Sequence, residues 1–463
     1  MKKNIIIAIL FAVSYTTYSQ SLGYTDLALL FSQDNYNGSA RFTAMSGAFG
    51  ALGGDISSVN INPAGLAVYR NSAFSVTFNN RNSDITSSYY GNSITIKNEF
   101  FNISHAGAVL VFDTARDSEW KKVAVGFNYR IKKDLNNYFT ASGNSGFASF
   151  NEFPLDINTP TIEYNNAEEQ VFNNTFGGEI SEFNFAISAV HQNKLYIGAA
   201  LNTYDLKFSQ FATLRERNND GNDNVLYADF YQENLTTGNG FSLSAGFIYK
   251  MHKNFRFGVS YQTPTWFTEI IEVTNITNND GYLGDTQIEV TNDNVIYDNT
   301  VGSFYPTQEL LYRLKTPSKL TASAAFIFGK IGLISADYSR KRYQSMQLFN
   351  EDFFQENQFF QNNLTDVYQL NIGTEWRLDR FSIRGGYQKT QDPIQIQNNF
   401  QPNYIESFSY GAGYNFGNLK IDLSYSNSIN TATYDFYPQF NQVNAANLQV
   451  DNRVFTATLT LNL

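Results

Sequence analysis

Fourteen segments of this sequence carry apolar side chains at every second position, and that period constrains the chain more than any other feature it has. Lys122-Val123-Ala124-Val125-Gly126-Phe127-Asn128-Tyr129-Arg130-Ile131-Lys132 puts Val, Val, Phe, Tyr and Ile on one side and mostly polar residues on the other. In a strand these are opposite faces. The same reading places strand cores near 73–82, 101–112, 122–132, 181–190, 194–206, 240–250, 254–263, 319–328, 331–340, 366–378, 380–389, 404–416, 418–427 and 453–463. The last segment alternates Phe455, Ala457, Leu459, Leu461 and Leu463 with Thr and Asn, so the given sequence closes within a strand.

The connections alternate in length. Short ones are His191-Gln192-Asn193, Met251-His252-Lys253, Gly329-Lys330, Asp379 and Gly417, with 113–121 intermediate. Between them lie polar stretches at 133–180, 207–239, 264–318, 341–365, 390–403 and 428–452. An even strand count with short turns on one rim and long loops on the other is the rhythm of a transmembrane barrel. A soluble sandwich or propeller gives no reason for that strict succession. We therefore expect an all-β protein, a transmembrane antiparallel β-barrel of about 14 strands.

Composition agrees where it bears on this choice. Aromatics reach 16 % and charged residues only 16 %, where soluble proteins carry about 25 % charge. The net charge of −10 argues against a nucleic-acid partner, and the absence of cysteine removes disulfides and thiolate metal sites. Lys2 and Lys3, the apolar run Ile5 to Val13 and the site Thr17-Tyr18-Ser19 predict a cleaved signal peptide over 1–19, which implies export.

Residues 20–72 read differently from the strands. A short helix is expected over Leu22 to Leu30, followed by the small-residue run Gly47-Ala48-Phe49-Gly50-Ala51-Leu52-Gly53-Gly54-Asp55 and by Asn62-Pro63-Ala64-Gly65-Leu66. Small side chains permit close backbone packing, and some 50 residues are enough to fill part of a lumen that wall side chains alone leave open. We assign 20–72 to an N-terminal plug (hatch) and 73–463 to the barrel. Here the sequence resembles the FadL/TodX-type outer-membrane transporters of hydrophobic compounds, whose hatch the two quoted stretches match. Looser matches are Lys315-Thr316-Pro317-Ser318-Lys319-Leu320, Ile383-Arg384-Gly385-Gly386-Tyr387 and Ser409-Tyr410-Gly411-Ala412-Gly413-Tyr414.

The resemblance implies passive uptake of hydrophobic small molecules such as long-chain fatty acids, in the Gram-negative outer membrane, with lipid and lipopolysaccharide as surroundings. It also implies a sideways exit through a kink in the third strand. The stretch 122–132 alternates without a break, so the wall irregularity is expected at His105-Ala106-Gly107, where the apolar face changes from Phe101 and Ile103 to Leu110 and Phe112. The alternatives within this lineage are an accessory or interaction barrel of a secretion or surface-export complex and a haem-receptor-like uptake protein.

Candidate substrate contacts are Arg130 and Lys132, placed to hold a carboxylate, and the pairs Phe353-Phe354 and Phe359-Phe360, costly to expose in an otherwise polar loop. No catalytic constellation, metal site or cofactor is expected. The three histidines His105, His191 and His252 fall at unrelated positions, and the acidic pairs Glu168-Glu169 and Glu351-Asp352 sit in polar loops.

Overall fold

A computed structural model describes residues 22–35, 37–115, 118–153, 158–276, 287–290, 295–298, 307–350, 353–394, 404–437, 440 and 442–463. The expected leader 1–19 lies outside them. Fourteen antiparallel strands form one closed ring. They are β1 (Ala73–Tyr89), β2 (Asn92–Asp113), β3 (Trp120–Asp134, continuing as Asn137–Gly143), β4 (Asn166–His191), β5 (Leu195–Asn219), β6 (Val225–His252) and β7 (Phe255–Gln262, continuing as Trp266–Ile276). The ring goes on through β8 (Thr307–Lys315, continuing as Lys319–Phe328), β9 (Gly332–Arg342), β10 (Asp366–Leu378), β11 (Phe381–Gln391), β12 (Tyr404–Asn415), β13 (Leu419–Tyr434) and β14 (Ala446–Asn462). Each strand pairs with the next, and β14 pairs with β1 from Ala73↔Asn462 to Ser88↔Asn447, so the sheet closes on itself.

Near the short turns the large apolar side chains face outward. Phe257, Tyr261, Leu320, Phe326, Phe408, Tyr410, Phe455 and Leu459 are all exposed, while their neighbours Ser260, Thr321, Ser409, Thr456 and Thr458 are buried inside. Aromatic pairs ring this belt at both edges: Phe328 with Trp376 and Tyr414 with Phe416 toward the short turns, Phe241 with Trp266, Tyr338 with Tyr368 and Tyr387 with Phe408 at the far edge. An outward apolar band between two aromatic girdles is the surface of a transmembrane barrel of the outer-membrane type, with the short turns on the periplasmic rim.

The strands are longer than the sequence suggests. A spanning strand needs about 9–11 residues, yet β4, β5 and β6 have 26, 25 and 28. The stretch 207–239, expected as a loop, is a continued hairpin turning only at 220–224, and 83–100 turns at Tyr90-Gly91, both at positive φ. Above the belt the pattern reverses: in β5, Ile197 and Leu201 face lipid, whereas Leu206, Phe208, Ala212 and Leu214 face inward. Outside the membrane water meets the outer face, so the apolar residues move to the lumen side.

Candidate functional site

The N-terminal segment sits inside the ring and touches it all the way round. It holds helix α1 (Tyr24–Ser32), the short α2 (Ala40–Ala44) and two 3-10 turns, Ile56–Asn60 and Pro63–Val68. Each of the last three starts on a side-chain cap: Ser39 accepts from Phe42 N, Asp55 from Ser57 N and Asn62 from Ala64 N. Asn62 also donates to the carbonyls of Gly50 (2.8 Å) and Phe247 on β6 (3.0 Å), and Pro63 opens the turn that it caps. Ala64 is buried, and Gly65 lies so close to Ser58 that a Cβ there would stand 2.5 Å from the hydroxyl.

The wall is shaped to receive this segment. Gly107, Gly126, Gly198, Gly246, Gly258, Gly373, Gly386 and Gly411, on eight different strands, each meet it where a side chain would stand. At Gly198 a Cβ would lie 2.5 Å from the Ala64 amide nitrogen, backbone against backbone.

Charges join the two parts. Arg41 reaches Glu375 on β10 at 2.7 Å; Glu375 also binds Arg384 (2.8 Å) and Arg377 (2.5 Å), and Arg384 continues to Asp422 (2.7 Å). Nearer the mouth, Asp34 pairs with Lys341 (2.5 Å) and Lys132 (3.3 Å). Burial works against the charged Asp34, but Lys341, Lys132, Lys319 and Arg130 outweigh it and hold its pKa well below the usual carboxylate range. Arg130 is engaged by Glu182 at 2.6 Å. The two cations assigned to a substrate carboxylate thus face the lumen, but their charge is directed to Glu182 and Asp34. Spacing along the chain gave no sign of these acids.

Toward the mouth aromatic and aliphatic side chains fill most of the interior, with the buried Glu216 and Glu272 accepting from the hydroxyls of Tyr437 and Tyr312. One cluster joins Tyr89, Phe139, Phe150, Phe172, Phe230 and Phe436, with Phe172 stacked on Phe436 at 4.4 Å. A second surrounds α1, where Leu27, Leu29 and Phe31 meet Phe208, Phe267, Tyr312 and Leu348. Leu22 and Phe176 pack against both clusters, so the apolar lining is continuous. The Phe pairs divide around helix α3 (Phe354–Asn363). Phe353 packs edge-on against Tyr24 (5.2 Å) and Tyr312 (5.7 Å), Phe360 is fully buried and Phe359 lies against the cluster. Phe354 turns outward and is 65 % exposed.

The wall itself is interrupted beside this lining. The β2–β3 ladder runs from Asp113↔Lys122 to His105↔Arg130 and no further. Beyond it β2 carries an extra residue, Ser104, against β1, and β3 is bulged at 131–133 and broken at 135–136. The shift in β2 falls one residue before the stretch His105-Ala106-Gly107 expected for it. The unbroken third strand read over 122–132 holds only to Ile131. There the register of β3 slips, and the carbonyls of Ile131 and Lys132 accept from Asn37 Nδ2 (2.8 Å) and Asn35 N (2.9 Å) of the N-terminal segment.

Side chains span the gap that remains. Asn98 bonds both N and O of Tyr138 at 3.0 Å, and Arg81 crosses from β1 to Asp134 (3.1 Å). Phe101, beside the gap on the lipid side, is 72 % exposed.

The histidines do not converge. His105 is buried against Ser57 and Thr77, His191 pairs with Glu119 in a short turn, and His252 lies at another turn. Among the described residues no group of His, Asp and Glu is placed to hold a metal ion. Glu168 pairs with Arg217 at 2.8 Å, while Glu351 and Asp352 lie outside the described residues.

No family profile matches the sequence, and no curated protein does. Solved structures do match. A FadL homologue from Pseudomonas aeruginosa has a TM-score of 0.59 at 14 % identity, covering 93 % of this chain and 99 % of that one. The toluene transporter TodX of P. putida gives 0.54 at 13 %, and the toluene transporter TbuX of Ralstonia pickettii 0.50 at 17 %, each with the same two coverages. These neighbours are channels and transporters rather than enzymes. With its closed ring, its lipid-facing belt and its occupied lumen, the chain has the fourteen-stranded transmembrane fold of the FadL/TodX-type outer-membrane barrels.

Proposed function

We propose that this chain is a passive outer-membrane channel through which hydrophobic small molecules, long-chain fatty acids among them, enter the cell. The observation that carries the reading is the continuous apolar lining from the mouth past α1, ending beside the interrupted β2–β3 wall. A hydrophobic solute exchanges one apolar contact for another along that lining. Residues 20–72 act as the hatch that closes the lower lumen, delivered after removal of the leader 1–19. The β2–β3 ladder stops where Asn35 and Asn37 hold the β3 carbonyls, and the exit is sideways there, between β2 and β3 toward Phe101 and the lipid.

Phe353, Phe359 and Phe360 border the entry, whereas Arg130 and Lys132 position the hatch through Glu182 and Asp34. In this assignment they act on the substrate indirectly. The surroundings are outer-membrane lipid and lipopolysaccharide.

The accessory-barrel reading has one observation in its favour, the ion pairs that fasten the hatch to the wall, Arg41 with Glu375 and Asp34 with Lys341. Uptake into liposomes decides between them. Labelled long-chain fatty acid and a monoaromatic hydrocarbon should enter protein-containing vesicles faster than empty ones, with haem as a control. Equal rates for every solute would overturn transport and leave the docking role.

A further inference from the structure

Outside the lumen, one groove indents the lipid-facing wall across β4 to β7, with a cavity volume of 380 Å³. The strand register explains it. Ile187, Ala199, Ala245 and Tyr261 stand side by side on four neighbouring strands, so two small residues lie between two large ones. The next row toward the mouth, Phe185, Leu201 and Leu243, forms a bulky border. All five large residues around it, Phe185, Ile187, Leu201, Leu243 and Tyr261, are exposed.

The indentation is held in place where β7 is interrupted. Thr263 N donates to Leu243 O (2.9 Å) and Leu243 N donates to the Thr263 hydroxyl (2.9 Å), so the wall is stitched at the groove's upper end just before Pro264. Phe241 and Trp266, the girdle pair, stand immediately above. The groove therefore opens within the apolar band, on its extracellular half.

We propose that this groove is a binding site for a single acyl chain of an outer-leaflet membrane lipid. Its position decides the occupant. Between the two girdles the wall meets membrane hydrocarbon, out of reach of a soluble partner. A fixed indentation left without partner atoms forfeits dispersion contacts along its lining, and a linear hydrocarbon chain can restore them.

Native mass spectrometry of the full protein, extracted in mild detergent and offered phosphatidylethanolamine or lipid A, tests this. Ala245→Phe and Ala199→Phe fill the floor from the lipid side, and Ala412→Phe makes the same change on the distant β12. All three should keep their heat-modifiable mobility on a denaturing gel, which reports the folded ring. The two groove variants should each lose one retained lipid relative to the original protein, and Ala412→Phe should lose none. Equal lipid counts in all four proteins would overturn the site. So would a dimer that only the groove variants dissociate, since the groove would then belong to a second copy.

Discussion

The upper and lower halves of this lumen are filled by opposite means. Near the mouth, aromatic rings from five strands and two loops pack on one another, with Phe172 over Phe436 as their centre, and a second cluster surrounds α1. Lower down, backbone lies against glycine, and buried carboxylates meet buried guanidiniums, as at Glu375. A hydrophobic guest replaces a ring contact with a similar one at little loss. It has nothing to offer a stranded Arg41. The difference teaches that the upper half suits passage and the lower half closure, and that the wall break stands at the boundary, where Asp34, Asn35 and Asn37 meet β3.

That contrast can be broken most forcefully at Glu375. Glu375→Ala leaves the buried Arg41 without its carboxylate and Arg384 with Asp422 alone, which costs on the order of 3–5 kcal/mol. The temperature at which the ring loses its heat-modifiable mobility should fall, and added hydrophobic solute should not restore it. A full rescue by solute would remove the distinction between the halves.

Phe172→Ala probes the other half and should cost about 3 kcal/mol or somewhat more, because a fully buried ring is removed. Protease cutting of the loops around 144–165 should rise, and a long-chain hydrophobic solute should suppress it by filling the space. Failure of the solute to protect would break the comparison from the opposite side.

The smallest effect is expected at Asp34, where Asp34→Asn should lower stability by about 1–3 kcal/mol. Its carboxyl pKa is depressed on folding, so its contribution is complete above the unfolded value near 3.8 and is lost only as pH falls through the lower folded value. Melting measurements should therefore separate Asp34→Asn from the original protein at pH 7 and still at pH 4, and bring them together in stronger acid.

Every barrel strand was legible in the sequence, because lipid outside and a filled lumen inside impose the alternation residue by residue. Strand length was less legible. In β5 the apolar positions change from odd numbers at Ile197 and Leu201 to even numbers at Leu206 and Phe208, and this reversal, which marks the membrane surface, reads as lost pattern if only one phase is scored. The glycines facing the hatch were visible too, since an isolated Gly in a strand signals close approach of another backbone. The turn at Asn62 and Gly65 was readable because capping and turn chemistry are local. The partners of Arg130, Lys132 and Arg41 were not, because Glu182, Asp34 and Glu375 are brought to them by the register of a closed ring. The β3 break was hidden for a similar reason: Ile131 and Lys132 look like ordinary strand residues, and what displaces them is a segment nearly 100 residues earlier.

The place where β1 meets β14 has a consequence for how the molecule comes into being. Thr77 and Thr458 bond across that seam at 2.8 Å, and Ala40 N donates to the same Thr458 hydroxyl at 2.7 Å. Residue 40 is made long before its acceptor, residue 458. The seat that Ala40 takes at Thr458 lies beside the bond joining the last strand of the ring to the first, so that contact reports that the cylinder has closed.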